Sequence, residues 1–574
     1  MPKGNQHVAA ALAGLYGSEA GADCSIHFCL ETSLAPTAGS KRPRDQEVPT
    51  EATTVGEPLP AHSLVLKHAS ERFAAQLDRW ERRQESTPAT GAACVSVRIA
   101  VLGEPSTQQG APVARRPLLR VPLGSEAELP AARLVMKYAY TGEVEGLGSI
   151  REALEVRRIG DYLAIEGCAA ACVKWVADKM AEAKVKTPNG KHAKAGSAAR
   201  PAAAPEAKPG GQQAAAEPLV LQLYTCDALW PSDDPSFKTI IAATKPQLVR
   251  HFGSTLAALN TPSLRKQLLL LPAAGLEALL ESDDLATDTE DSVLTLLAVW
   301  MEANWGRTDA ATRKQLCGLV RLVQLSPHVS SGILMGLALD HETKGSAGGR
   351  TGWFACGVME AARISACATA NEGQRSLLDL RGTWYNTKAR PQCVPVAGIA
   401  YPWSISTHAL RAKLEGLQPD VLATVASSFD GFDPALPHVL TGGVALEVGV
   451  EYKHSNDAAG VFLFCSIPKA FKSPGSALEG ARDCPATVSA TLTVHRRSGG
   501  RREDGYSFTY DKKSGTRFAS VGWGQAKGLA LALPPTSGPN DGAGSSPNRD
   551  PLAGWAAYLH EGKITGYLTL KRLA

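Results

Sequence analysis

Three groups of side chains in this 574-residue chain have the types and spacing that chemistry uses. Cys24, His27 and Cys29 lie close together and carry soft metal-ligating atoms. Their surroundings read as a strand, where successive side chains point to opposite faces, so Cys24 faces away from His27 and Cys29. Asp283, Asp284, Asp288, Glu290 and Asp291 offer carboxylate oxygen for calcium, yet the alternating acids and the glycine of a calcium loop are missing. Acids facing a helix N-terminus explain that cluster more simply. His341-Glu342 opens a zinc-protease helix motif and lacks its second histidine. His62 has no base or ligand nearby, and packing or a hydrogen bond at a strand edge is its expected role. No phosphate-cradling glycine loop and no Gly-x-Ser-x-Gly elbow occurs. The expectation is a chain with no catalytic residue, no metal and no cofactor.

The elements that carry these residues outgrow one hydrophobic core, so several domains are expected. An apolar content of 44% and a charged content of 20% describe an ordinary water-soluble composition. A net charge of +4 gives no electrostatic case for direct nucleic-acid binding. The 12 cysteines include no Cys-x-x-Cys pair, and reduced thiols are expected of them. The first residues lack an apolar signal core, and no apolar run approaches a membrane span. Lys41-Arg42-Pro43-Arg44 is a weak import-signal candidate. Nucleus, cytoplasm or both are therefore the expected locations.

Along the chain, residues 1–21 form an N-terminal segment and 22–180 an α/β unit. Strands are expected at Asp23–Leu30, from His62, at Cys94–Val101 and at Leu118–Val121, with disordered insertions near 33–58 and 103–112. Helical periodicity runs from Ile150 to Met180, with breaks at Gly160 and near Gly167. Residues 181–218 are dominated by Ala, Pro, Lys and Gly and read as a flexible linker. A helical domain follows at 219–345, then a helical extension or connector at 346–380. Thr287-Asp288-Thr289-Glu290 has the form of a capping box, and the helix it opens puts Val293, Leu296, Leu297 and Trp300 on one face. From 381 to 574 short strands alternate with turns, the texture of an antiparallel β-sandwich-like domain with a loop insertion at Pro534–Pro551. The fold class expected is thus multidomain α+β.

Two blocks carry a family resemblance. His62, Leu66, Ser70 and Phe73, with Asp23 before them and Tyr138, Tyr140, Thr141 and Gly142 far downstream, resemble the BTB (POZ) domain. The aromatic pair is expected to support the core, and Gly142 to close its helix in the left-handed conformation. Ser63 stands where some relatives carry a basic partner for the acid at Asp23. The resemblance implies a homodimer and a cullin scaffold as partner. The family's cullin surface would fall on Leu77, Trp80 and Glu81. Here Glu81 directly follows Trp80, and Arg82 takes the third place of the family's hydrophobic-x-Glu motif. Trp80 has two roles open to it, interface anchor or packing within its own domain.

The second block is Leu271-Pro272, Leu279-Leu280, Ser282-Asp283-x-Leu285, Glu290 and Trp300, with Val320-Arg321-Leu322 beyond. It resembles the helical BACK domain that commonly follows BTB. The β-rich end is similar, more loosely, to plant and algal BTB–BACK proteins of the light-response type, through Gly460–Phe464, Val521–Gly524 and Gly566–Lys571. Together these resemblances imply a non-catalytic substrate adaptor of a cullin–RING ubiquitin-protein ligase in a green plant or alga. It would hold an unknown target protein through 381–574. A BTB-mediated scaffold or transcriptional co-regulator without cullin is the alternative. A β-domain enzyme with a dispersed site comes third.

Overall fold

The alternation of Cys24–Leu30 becomes strand β1, centre of a three-stranded sheet. The structure, a computed structural model, describes residues 4–30, 53–85, 116–186, 217–345, 349–371, 373, 381–418, 421–433, 437–453, 457–481, 485–499, 501–510, 517–518, 522–532 and 550–572. The strand expected at 94–101, the insertion at 103–112, the basic run at 41–44, and most of the linker and of the 534–551 loop lie outside the described residues. The chain divides into two compact units, Met1–Thr244 and Lys245–Ala574.

In the first unit β1 pairs antiparallel with β2 (Thr54–Ala61) and parallel with β3 (Leu118–Leu123). The sequence expectation placed residues 54–58 in a disordered insertion and a strand from His62; both are corrected. Pro58 and Pro60 are tolerated because β2 is an edge strand. A bulge at left-handed Gly56 separates buried Val55 from buried Leu59 and hides the alternation. The chain turns helical directly after β2, in α2 (Ser63–Ala69). Helix α3 (Glu71–Glu85) follows, then α4 (Leu129–Thr141) and α5 (Ile150–Tyr162). Helix α5 runs through Gly160 without the expected break, since the absent side chain leaves room for the Cys168 sulfur. Helix α6 (Cys168–Lys186) completes the core. Two pieces from outside the expected domain also pack in this unit. In the N-terminal segment, helix α1 (Gly4–Gly14) and the turn after it set Leu12, Leu15 and Tyr16 against the core. Residues Leu219–Tyr224, expected to belong with the next domain, form a helix on α5 and α6.

The second unit combines helices and sheets in one body. Its helices include Thr255–Asn260, Pro262–Leu270, Ala273–Glu281, Glu290–Asn304 and Met335–Lys344. Glu290–Asn304 is not one-faced: Glu290 through Met301 are all buried, as in a helix surrounded on every side. Trp300 donates its indole N–H to the Leu271 carbonyl (2.8 Å), which Pro272 leaves at the end of a helix. Downstream, every described pairing between strands is antiparallel; an isolated parallel bridge joins Thr287 to Gln392. One sheet has strand order β12-β11-β16-β4-β6, formed by Arg501–Tyr510, Ala490–Ser498, Lys563–Leu570, Ile399–Ser406 and Ser428–Phe429. The other has order β14-β9-β8-β5, formed by Trp523–Ala530, Ala458–Ser466, Val444–Lys453 and Leu422–Ala426, with β7 (Val439–Thr441) also on β8. The Tyr510 hydroxyl donates to the Trp523 carbonyl (2.5 Å), joining the two sheets.

Candidate functional site

The residues that suggested chemistry are consumed by structure. Cys24 is fully buried, and burial pushes its thiol up to about 12. Among the described residues no group of His, Cys, Asp and Glu could hold a metal ion. His341 meets the Gly352 carbonyl (3.0 Å), and Glu342 accepts the Val358 N–H (2.7 Å) at a helix start.

In the first unit the signature residues form one connected set. His62 donates its backbone N–H to the Tyr140 hydroxyl (2.9 Å), and its ring nitrogens meet that hydroxyl (3.2 Å) and the Ala20 carbonyl (3.0 Å). A carbonyl only accepts, so Nε2 donates to Ala20. Burial pushes Tyr140 up to about 12. Asp23 accepts from both the amide (2.7 Å) and the hydroxyl of Ser63, the first residue of α2. Burial raises the Asp23 pKa, but the Ser63 hydrogen bonds outweigh it and hold the carboxyl below the usual range. Ser70 receives the Phe73 N–H (3.1 Å) and donates to the Leu163 carbonyl (2.5 Å), which ties α3 to the end of α5. Phe73 and Leu66 are fully buried. Gly142 ends α4 at φ 67° with its N–H on the Tyr138 carbonyl (2.8 Å), and Thr141 bonds back to the Lys137 carbonyl (3.1 Å).

The expected cullin surface needs a correction. Leu77 is 1% exposed and belongs to the core, one helical turn from Phe73. Trp80 continues that face and is half-buried. Glu81 is exposed and ion-paired with Lys67 (2.8 Å), which also holds Asp78 (3.1 Å). Only Trp80 and Glu81 present surface.

In the second unit the acidic stretch ties helices to sheets. The expected capping box does not form: Glu290 is the first residue of its helix, and Thr289 at the cap makes no capping bond with its side chain. Glu290 instead accepts the Arg321 N–H (2.9 Å) and the Arg390 Nε–H (3.1 Å). The Arg390 side chain is fully buried and also donates to the carbonyls of Leu280 (2.7 Å) and Ser282 (2.5 Å). Asp283 binds Lys388 (2.6 Å) and the Arg321 guanidinium; Lys388 first, then Arg321, holds it below the usual carboxylate range. Asp288 accepts the Thr441 hydroxyl (2.6 Å) and the Gly442 N–H (2.9 Å). That amide belongs to a two-residue turn whose Gly442 and Gly443 both have positive φ. The Asn260 carboxamide pairs with both backbone groups of Leu440 (2.8 Å each). Asp291 accepts the Ser326 N–H (2.9 Å), and complete burial raises its pKa to about 7. Buried Leu279, Leu280 and Leu285 fill the core beneath, and Asp284, exposed beside Asp283, stays outside the tether.

Arg390 and Asn260 gave no local signal, because their partners lie about 100 and 180 residues away. Arg496, Arg497, Arg501 and Arg502 carry a plain signal, four arginines within seven residues. A near-neutral total charge conceals so local a cluster.

A comparison with curated proteins gives no match. No helix among the described residues is long and apolar enough to cross a membrane. Residues 255–333 match the family model of BACK, "BTB And C-terminal Kelch", which covers the helices from Thr255 through the Trp300 segment to Ile333. This supports a BTB–BACK type of protein; the likeness to light-response proteins gains no support from it. The chain therefore carries a BACK module, packed in one compact unit with an antiparallel β-rich region.

Proposed function

We propose that this chain is a non-enzymatic adaptor of a cullin–RING ubiquitin ligase. The first unit would dimerise and dock a cullin as a BTB domain does, and the β-rich region would hold a target protein. The BACK module at 255–333 carries the reading, because such modules are typical of cullin–RING adaptors with a substrate-binding end. The arrangement of a small sheet flanked by helices before it, and of a β region fused to it, agrees with that role. Dimerisation raises effective concentration by pairing two target sites with two ligase arms. Nucleus and cytoplasm are the proposed locations. Trp80 is the proposed cullin anchor, since a central interface aromatic typically carries about 2 kcal/mol or more. Trp80→Ala should then weaken cullin capture on the order of 30-fold and leave the dimer intact, by pull-down and light scattering. Loss of the folded first unit in that variant would make Trp80 a core residue and remove the anchor.

A second reading has its own support. Leu77 is buried and Glu81 is already ion-paired within the unit, which leaves little of the expected docking motif free. A BTB-type scaffold or transcriptional co-regulator that binds no cullin fits those two facts. The wild-type pull-down separates the readings.

A further inference from the structure

The hairpin formed by β11 and β12 places two arginines in an arrangement that folding alone disfavours. Its antiparallel register sets Arg497 directly opposite Arg502, and His495 opposite Asp504. Like charges facing each other across a strand pair repel. Alternation puts His495, Arg497, Arg502 and Asp504 on one sheet face with Thr565 and Tyr567 of β16. Acids lie close along the strand in Glu503 and Asp504, yet among the described residues neither arginine is ion-paired with a carboxylate. Each rests on a histidine instead. Arg502 stands 2.8 Å from both ring nitrogens of His495, with its guanidinium 5.6 Å from the Tyr567 ring centre. Arg497 lies 3.3 Å from the His560 ring. His495 is 6% exposed; burial first, then Arg502, lowers its pKa to about 4, while Asp504 across the hairpin acts in the opposite direction.

We propose that Arg497 and Arg502 form a fork that grips an oxyanion side chain, carboxylate or phosphoryl, on a segment of a bound protein. Tyr567 and His495 hold the Arg502 guanidinium in place. Guanidinium donors are planar and suit a two-oxygen anion, and an anion between two opposed arginines removes their repulsion. The hairpin acids argue for a single anionic side chain over a nucleic-acid strand. Asp504 shares the face, so a chain of phosphates running along it would meet that carboxylate. A lone side chain can meet the arginines without running along the strand. The inference rests on the reading of the β-rich region as the partner-binding end.

Fluorescence anisotropy with the full chain tests it, using labelled Gly-Ser peptides with two central glutamates, one central phosphoserine, or neither. The expected result is binding of an anionic peptide and none of the neutral one. The double variant Arg497→Gln with Arg502→Gln should lose on the order of tenfold or more in affinity, since charge-assisted bonds are the strong ones. It should melt no lower than the wild type, because it removes a repulsion. The stronger of the two anionic peptides identifies carboxylate or phosphoryl as the natural group. Three results would overturn the proposal: equal binding by the double variant, binding of no peptide, or tighter arginine-dependent binding of an eight-nucleotide oligothymidylate. Cullin capture by the same double variant should be unchanged. Failure of the fork is thus distinguishable from failure of the adaptor reading.

Discussion

Single buried charges in the second unit tie together segments far apart in sequence. Glu290 and Arg390 form an ion pair whose side chains are 2% and 0% exposed. Removal of one member leaves the other as a buried, unpaired charge, which costs about 3–5 kcal/mol. Glu290→Ala should lower unfolding free energy by that amount in urea titration. Glu290→Ala combined with Arg390→Met should recover part of it. Asp291 makes a second prediction, from its burial. Its pKa rises from 3.8 toward about 7 on folding, so between those values the folded chain binds more protons than the unfolded one. Stability from this group is therefore present below about pH 4 and lost as pH rises through about 7. Asp291→Asn should flatten that window in melting curves taken from pH 5 to 8. A wild-type curve already flat there would contradict the buried, neutral carboxyl. Neither residue announced its role in sequence. Glu290 looked like a cap and Asp291 like one more acid, because both draw their meaning from chain 31 to 100 residues away.

At the scale of elements, local chemistry was legible wherever the partner was near in sequence. The Thr141-Gly142 stop of α4 follows from glycine's freedom at positive φ, and the structure places Gly142 there at 67°. Gly142→Val should cost on the order of 1–2 kcal/mol, since a β-branched residue resists that conformation. Ser70 and Phe73, offered by the sequence only through a family resemblance, are a serine that caps α3 and an aromatic three residues on that fills the core. Ser70→Ala should destabilise the first unit by about 1–2 kcal/mol, visible as a lower melting temperature. Strand β2 was not legible. Its two prolines, its glycine bulge and its exposed Glu57 look like a loop until the pairing with β1 is known. The capping box failed for a related reason: Glu290 sits too early in its helix to reach back, and a buried arginine claims it.

At the scale of the molecule, composition and texture located the helical and β-rich stretches but not how they join. The sequence suggested separate BACK and β domains. Asn260, Asp288, Ser292, Glu290 and the Thr287 backbone instead bind residues 390–393 and 440–442 within one unit. A fragment ending at residue 380 would leave those polar groups without partners. It should therefore aggregate or show molten behaviour, whereas 245–574 should unfold in a single transition by calorimetry. A stable, cooperatively folding 245–380 fragment would contradict the fused unit. The most direct test of the adaptor reading is a mass measurement. Light scattering on the purified full chain, alone and mixed with the N-terminal region of a cullin, should give a dimer that takes up one cullin per chain. A folded chain that elutes with unchanged mass beside free cullin would contradict it.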